Sequence, residues 1–196
     1  RCAELPRFAA RAGHLMAAIP ADLLDGARAI RAIGFDIDGV LTDGRLWYGN
    51  DGAESKAFHV HDGLGLKLLQ QAGIATLVIS ARASAAAARR LRELGVAHVH
   101  LGVREKLPVF DAVLAGLGIG HDEAAYMGDD LPDLAVLSRV RLAATVSEAV
   151  PVVRKRCHWI ASRPAGGGAV RELAEFILSA QGKLDSLVNA HLAGAP

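Results

Sequence analysis

Two aspartates stand two residues apart at the end of a short apolar run: residues 32–36 (AIGFD) lead into Asp36-Ile37-Asp38-Gly39. Carboxylates that close repel each other unless a cation lies between them or one is protonated. Mg²⁺, a hard cation that takes oxygen ligands, relieves that repulsion. Asp36 is then placed to attack a phosphoryl group as a nucleophile. Asp38 is placed to protonate the leaving alkoxide and then to activate water. Gly39 permits the turn that would swing Asp38 back over the site. Taken alone, the pair reads about as well as two turn aspartates capping a helix.

A second acidic cluster, Gly128-Asp129-Asp130-Leu131-Pro132-Asp133, follows the apolar run 124–127. Pro132 suits a first helical turn, so one of these acids can be a plain cap. Three like charges at a buried strand end call for a counterion. Between the two clusters lie Ser80, which ends the run ATLVIS and opens a helical pattern with Arg82 beside it, and Lys106, which opens the next. A hydroxyl beside free N–H groups at a helix N-terminus makes an anion site. An ammonium there neutralises charge developing on a phosphoryl group. Ser80 has an ordinary alternative as an N-cap, and Lys106 as a solvated surface lysine. Together the four features supply what phosphoryl transfer needs, which is positioning and charge neutralisation.

The elements that must bring them together follow from the apolar pattern. Residues 32–36, 75–80, 96–101, 124–127, 141–144 and 158–161 read as strands. Helical patterns cover 64–72, 83–94, 106–117 and, briefly, 133–137, with Gly73, Gly95 and Gly118 at expected C-caps. The alternation predicts an α/β fold, a Rossmann-like open parallel sheet with helices on both faces. Ligands of such sheets bind at the carboxyl ends of the strands, where all four motifs fall. Residues 44–58 read as a β-hairpin around Gly49-Asn50-Asp51-Gly52, a flap inserted directly after the first strand. Residues 1–30 read as a helical extension that restarts at Pro20. Residues 31–196 form the core domain and end in a tail, 164–196, with the glycine run Gly166-Gly167-Gly168 and a helix over 169–181.

Composition narrows the function classes. The chain has 196 residues, 52% of them hydrophobic, and 22 basic against 21 acidic side chains. That balance leaves no electrostatic footprint for nucleic acid or an anionic membrane. No stretch reaches the roughly 20 apolar residues of a membrane helix. Residues 8–18 are apolar, but Arg11 and His14 interrupt them, so they do not read as a signal peptide. Cys2 and Cys157 lack metal-ligand spacing and read as reduced thiols. A cytoplasmic protein acting on a small molecule is the expectation.

The motif set DxD, Ser, Lys and GDDxxD resembles that of the haloacid dehalogenase superfamily of phosphatases, over about residues 20–188. The longer stretches DIDGVLTDG, KAFHVHDGLGLKLL, MGDDLPDL and AGGGAVRELAEFILSAQGKLD resemble one branch of it, which acts on an eight-carbon keto sugar-acid phosphate in lipopolysaccharide biosynthesis. The resemblance implies a Mg²⁺-dependent phosphoric monoester hydrolase working through an aspartyl-phosphate. It also implies a homotetramer with no large cap domain, each site being covered by a neighbouring subunit. Asp36 would be the nucleophile and a metal ligand. Asp38 would be the general acid/base, a ligand through its main-chain carbonyl and a substrate contact. Asp129 would be the remaining protein ligand. Ser80 and Lys106 would hold the phosphate, while Asp130 and Asp133 would orient the lysine and metal-bound waters. His59, Val60, His61, Asp62 and Gly63 would meet the substrate, with Lys67, Arg82 and Arg90 as further candidates. Gly166, Gly167, Gly168 and Arg171 would reach into the neighbour's site.

The chain departs from the resemblance twice. Ser80-Ala81-Arg82 stands where Ser/Thr-Gly-Arg is usual, adding a methyl near the phosphate while keeping the N–H donor. His61 stands where an arginine is expected, which would make substrate binding pH-sensitive. Two alternatives remain at this level: a phosphatase for a nine-carbon sialic-acid-type phosphate, and a receiver-like phosphorylatable signalling domain. The DxD form at the first strand and the acidic cluster after the lysine disfavour the second. Truncation ahead of Ala165 is expected to weaken turnover without unfolding the core.

Overall fold

The computed structural model describes residues 19–194. Cys2 and the first part of the expected N-terminal extension lie outside the described residues. Helix α1 (Ala21–Ala29) starts immediately after Pro20, where the sequence places a restart.

Six short apolar runs pair as one parallel sheet. In chain order they are β1 (Ala32–Phe35), β4 (Ala75–Ser80), β5 (His98–Leu101), β6 (Ala124–Met127), β7 (Leu142–Thr145) and β8 (Trp159–Ile160). Their spatial order is β5-β4-β1-β6-β7-β8, every neighbouring pair being parallel. β1, β6 and β7 are buried along their whole length, as strands covered on both faces must be. The chain leaves β1 for β4 on one side and returns as β6 on the other, so the crevice beside β1 is a topological switch point.

The crossover helices are α2 (Val60–Gln71), α3 (Ala85–Glu93), α4 (Lys106–Leu117) and α5 (Leu134–Leu137). Two departures are explained by caps. α2 begins four residues earlier than expected, because His59 Nδ1 accepts a hydrogen bond from the His61 N–H at 3.2 Å. α3 begins later than expected, because Ser84 rather than Ser80 caps it, its Oγ accepting from the Ala87 N–H at 3.3 Å. Arg82 therefore precedes α3, so Arg82 and Arg90 do not share two turns of one helix as the sequence reading supposed.

Residues 47–48 and 54–55 form the expected antiparallel hairpin, β2 (Trp47–Tyr48) and β3 (Glu54–Ser55). It is the only insertion between β1 and α2, and no cap domain stands over the sheet among the described residues. Two helices were not read from the sequence: the single turn α6 (Pro151–Arg154) and α8 (Leu184–Leu192), which restarts beyond Gly182. α7 (Ala169–Ala180) lies between them. Its Val170, Leu173, Ala174, Ile177 and Leu178 are fully buried, and it packs chiefly on α2. This corrects the truncation expectation. Removing the chain from Ala165 onward would strip a face of the core, at several kcal/mol for each large apolar side chain lost.

Candidate active site

Asp36 is the first residue beyond β1. Its N–H donates to the Met127 carbonyl at 3.0 Å, continuing the ladder with β6, so its side chain leaves the sheet at the carboxyl edge. Oδ1 accepts from the Ile37 N–H at 2.6 Å, and Oδ2 lies 2.8 Å from Lys106 Nζ. Lys106 is the first residue of α4, yet it is buried rather than solvated. Its ammonium also reaches Asp133 Oδ1 at 2.7 Å. Burial alone would depress its pKa, but the carboxylates of Asp133 and Asp36 hold it above the ordinary lysine value.

The second acidic cluster divides into different roles. Asp133 is fully buried, and each of its oxygens accepts twice: Oδ1 from Lys106 and from the Tyr126 hydroxyl at 3.0 Å, Oδ2 from the N–H groups of Asp129 at 3.0 Å and Asp130 at 3.3 Å. It is the bracket that shapes the loop and holds the lysine. Burial, together with Asp133, pushes the Tyr126 phenol well up, so it remains a donor. Asp130 is exposed, and its Oδ1 accepts from the Leu131 N–H at 2.8 Å, capping the 3₁₀ turn Leu131–Asp133. Asp130 does not touch the lysine, which corrects that part of the expectation.

Asp129 is different. Its Oδ1 is buried with no hydrogen-bond partner. Burial first, then the charges of Asp133, Asp36 and Asp130, push its carboxyl up to about 7. Burial and Asp133 likewise raise Asp36 to about 6, against the pull of Lys106. Oxygens of Asp36, Asp129 and Asp133 lie within 4.8 Å of one another. With Asp133 spent on four donors, Asp36 and Asp129 are the two carboxylates with oxygens to offer. An unpartnered buried carboxylate oxygen beside another carboxylate fits a hard divalent cation. Gly39 makes this approach possible. It has φ +86°, and a Cβ there would overlap the Asp129 carboxylate.

Ser80 closes β4, buried, its Oγ accepting from the Arg82 N–H at 3.2 Å. Asp38 turns its carboxylate toward the flap. Oδ1 pairs with Lys56 Nζ, and Oδ2 lies 3.5 Å from Arg82 Nε. Arg82 Nη2 in turn donates to Glu54 Oε2 at 2.7 Å and to the Tyr48 hydroxyl at 3.0 Å. Lys56, Glu54 and Tyr126 were missed in the sequence. Glu54 belongs to a hairpin with no motif of its own, Lys56 opens the stretch KAFHVHDGLGLKLL without a role assigned to it, and Tyr126 reads as one more apolar strand residue.

A cleft of about 780 Å³ opens over this edge, lined by Asp38, Gly39, Asp129 and Asp130, and by Pro164–Gly167 of the tail. Gly166 and Gly167 of the glycine run thus lie on their own chain's cleft. Gly166, at φ +58°, donates its N–H to the Val40 carbonyl at 3.0 Å. Arg171 pairs with Glu175 at 2.7 Å on α7. Gly166 and Arg171 thus each make a contact within their own chain.

The stretch 59–63 is the first turn of α2 and its cap. Val60 and His61 are exposed, His59 partly so. Asp62 is buried at 1% exposure; its oxygens accept from the N–H groups of Gly168 at 3.1 Å and Arg171 at 2.9 Å. It caps α7, and burial raises its pKa against those two donors. Asp62 as a substrate contact is therefore corrected to a structural clamp. Gly63 is buried against Arg90 and Leu94, with no surface for a ligand. Arg90 leans on Glu93 at 3.6 Å, and Lys67 is exposed on α2.

A carboxylate paired with a buried lysine, a hydroxyl and a metal-fit acid pair at one switch point fit a phosphoryl-transfer hydrolase of the α/β class. No protein-family model matches the chain. It is 38% identical over 167 residues to the 3-deoxy-D-manno-octulosonate 8-phosphate phosphatase KdsC of Escherichia coli strain K12, covering 85% of this chain and 89% of that one. The structure of a protein described as a haloacid dehalogenase superfamily (subfamily III A) hydrolase from Legionella pneumophila superposes with a TM-score of 0.85 at 42% identity, covering 88% and 94%. That of 3-deoxy-D-manno-octulosonate 8-phosphate phosphatase from Moraxella catarrhalis, in complex with magnesium ion, phosphate ion and KDO, gives 0.85 at 38% identity, covering 87% and 98%. The chain belongs to the KdsC family of haloacid dehalogenase superfamily phosphatases. The receiver-like alternative is set aside.

Proposed function

We propose that this chain hydrolyses 3-deoxy-D-manno-octulosonate 8-phosphate to the free sugar acid and phosphate, with Mg²⁺, as a step in lipopolysaccharide biosynthesis. The observation that carries this reading is Asp36, held at 2.8 Å by a buried lysine and clustered within 4.8 Å of Asp129, one of whose oxygens is buried without a partner. Its agreement with the relatives' activity supports the substrate class.

In the proposed mechanism a carboxylate oxygen of Asp36 attacks phosphorus, and the P–O bond to the sugar C8 oxygen breaks. Asp38 gives its proton to the departing alkoxide, then takes one from the water that attacks the aspartyl-phosphate. Lys106 and the Ser80 hydroxyl hold the phosphoryl oxygens, Asp133 having fixed the ammonium's position. Mg²⁺, held by Asp36, Asp129 and the Asp38 main-chain carbonyl, would supply charge neutralisation to the phosphoryl group. His59, Val60, His61, Lys67 and Arg82 are the candidates for contact with the sugar acid.

A cytoplasmic homotetramer, in which a neighbour covers each site, is part of the proposal. Leu46, Trp47 and Tyr48 are exposed at the flap and offer apolar surface for such contact. Among the described residues no helix is long and apolar enough to cross a membrane. The test is phosphate release from eight- and nine-carbon keto sugar-acid phosphates, hexose phosphates and nucleotides. Preference for the eight-carbon acid is expected. Preference for the nine-carbon acid would move the substrate, and preference for hexose phosphates or nucleotides would overturn the sugar-acid reading.

A further inference from the structure

Under the flap lie four charged groups from three segments: Glu54 and Lys56 of the hairpin, Asp38 of the DxD loop, and Arg82 beyond β4. The Lys56 side chain is fully buried, and its ammonium contacts Asp38 Oδ1, with Glu54 Oε1 at 3.7 Å. Asp38 Oδ2, Glu54 Oε1 and Arg82 Nε are buried without hydrogen-bond partners. A buried ion pair adds little stability over apolar packing, because desolvation offsets the attraction. A flap two residues wide per strand would be held more simply by apolar contacts.

We propose that Lys56 is a positioning residue for proton transfer: its ammonium holds the Asp38 side chain and fixes the place from which Asp38 serves as general acid. The pair joins two separate segments. Asp38 is on a loop whose turn depends on Gly39 at positive φ, and Lys56 is on the hairpin's return strand side. Lys56 moves no proton itself. This inference rests on the reading of Asp38 as the acid that protonates the leaving alkoxide.

The test reads the phosphorylation step alone, by rapid quench in Mg²⁺, with two substrates. One is the alkyl sugar-acid phosphate, whose alkoxide needs a proton. The other is an aryl phosphate whose phenolate leaves unprotonated. Lys56→Met should slow the alkyl reaction more than the aryl one by roughly 10²-fold, the scale of general acid catalysis. Lys56→Arg should restore most of the difference. In an Asp38→Asn background, Lys56→Met should cost little more, because both act through one proton transfer. Equal losses on both substrates would reduce Lys56 to a flap anchor and overturn the proposal, as would additive losses in the double variant. Should Lys56→Met not fold, the alkyl-to-aryl ratio in Lys56→Gln decides by the same criterion. Failure of the underlying reading looks different: Asp38→Asn alone would slow the alkyl and aryl reactions by the same factor.

Discussion

Replacing Asp129 with asparagine should stabilise the metal-free protein and at the same time abolish its response to Mg²⁺. Burial and neighbouring carboxylates raise Asp129 from 3.8 to about 7. The folded state thus binds a proton more tightly than the unfolded chain does, and stability falls as pH rises through that window. Each pH unit is worth about 1.4 kcal/mol, so the strain at pH 8 is at most about 4 kcal/mol. Asp129 keeps some contact with solvent and shares its repulsion with Asp36, which lowers the expectation to about 1–3 kcal/mol. For a chain of this size that is a Tm increase of roughly 2–10 °C. The assay is thermal unfolding in EDTA at pH 8 and pH 5. At pH 5 the wild-type carboxyl is largely protonated, and the gap should shrink to less than about half. With Mg²⁺ the order should reverse, since the wild-type protein alone gains a ligand. A variant less stable than wild type in EDTA at pH 8, or a gap indifferent to pH, would refute the electrostatic reasoning.

Other consequences are as direct. Lys106→Met should leave Asp36 and Asp133 without their shared cation, costing about 3–5 kcal/mol by urea unfolding and nearly all turnover. Gly39→Ala forces a side chain into a positive-φ position already filled by Asp129, so Mg²⁺ affinity by titration should drop sharply, with about 1–3 kcal/mol of stability. Asp62→Ala should cost about 2–4 kcal/mol, because two buried N–H groups of α7 lose their acceptor, while kcat of the folded fraction stays close to wild type. Mg²⁺ affinity should weaken as pH falls below about 7, because protons compete for Asp129 and Asp36.

The sheet was legible because its strands are nearly continuous apolar runs, and all six were found within two residues of their bounds. The motifs were legible because each acid, hydroxyl or lysine follows one of those runs. What escaped depends on partners distant in sequence. Asp62 looks like a site residue beside His61, and only the arrival of α7 more than 100 residues later makes it a cap. Lys56 looks like a surface lysine until the hairpin folds over Asp38. Ser84 takes the capping role assigned to Ser80 because the chain runs on past Arg82 before it turns into α3. α8 was missed since its apolar residues remain largely exposed, leaving Val188 and Leu192 at the surface.

The central claim is that Asp36 carries the phosphoryl group. Acid-quenching the enzyme during turnover with Mg²⁺ and the eight-carbon sugar-acid phosphate, then mapping the peptides by mass, tests it most directly. The account predicts phosphate on the peptide containing Asp36, absent when Asp36 is asparagine, with turnover lost in that variant. Phosphate release by Asp36→Asn at an undiminished rate, or label on another residue, would contradict it.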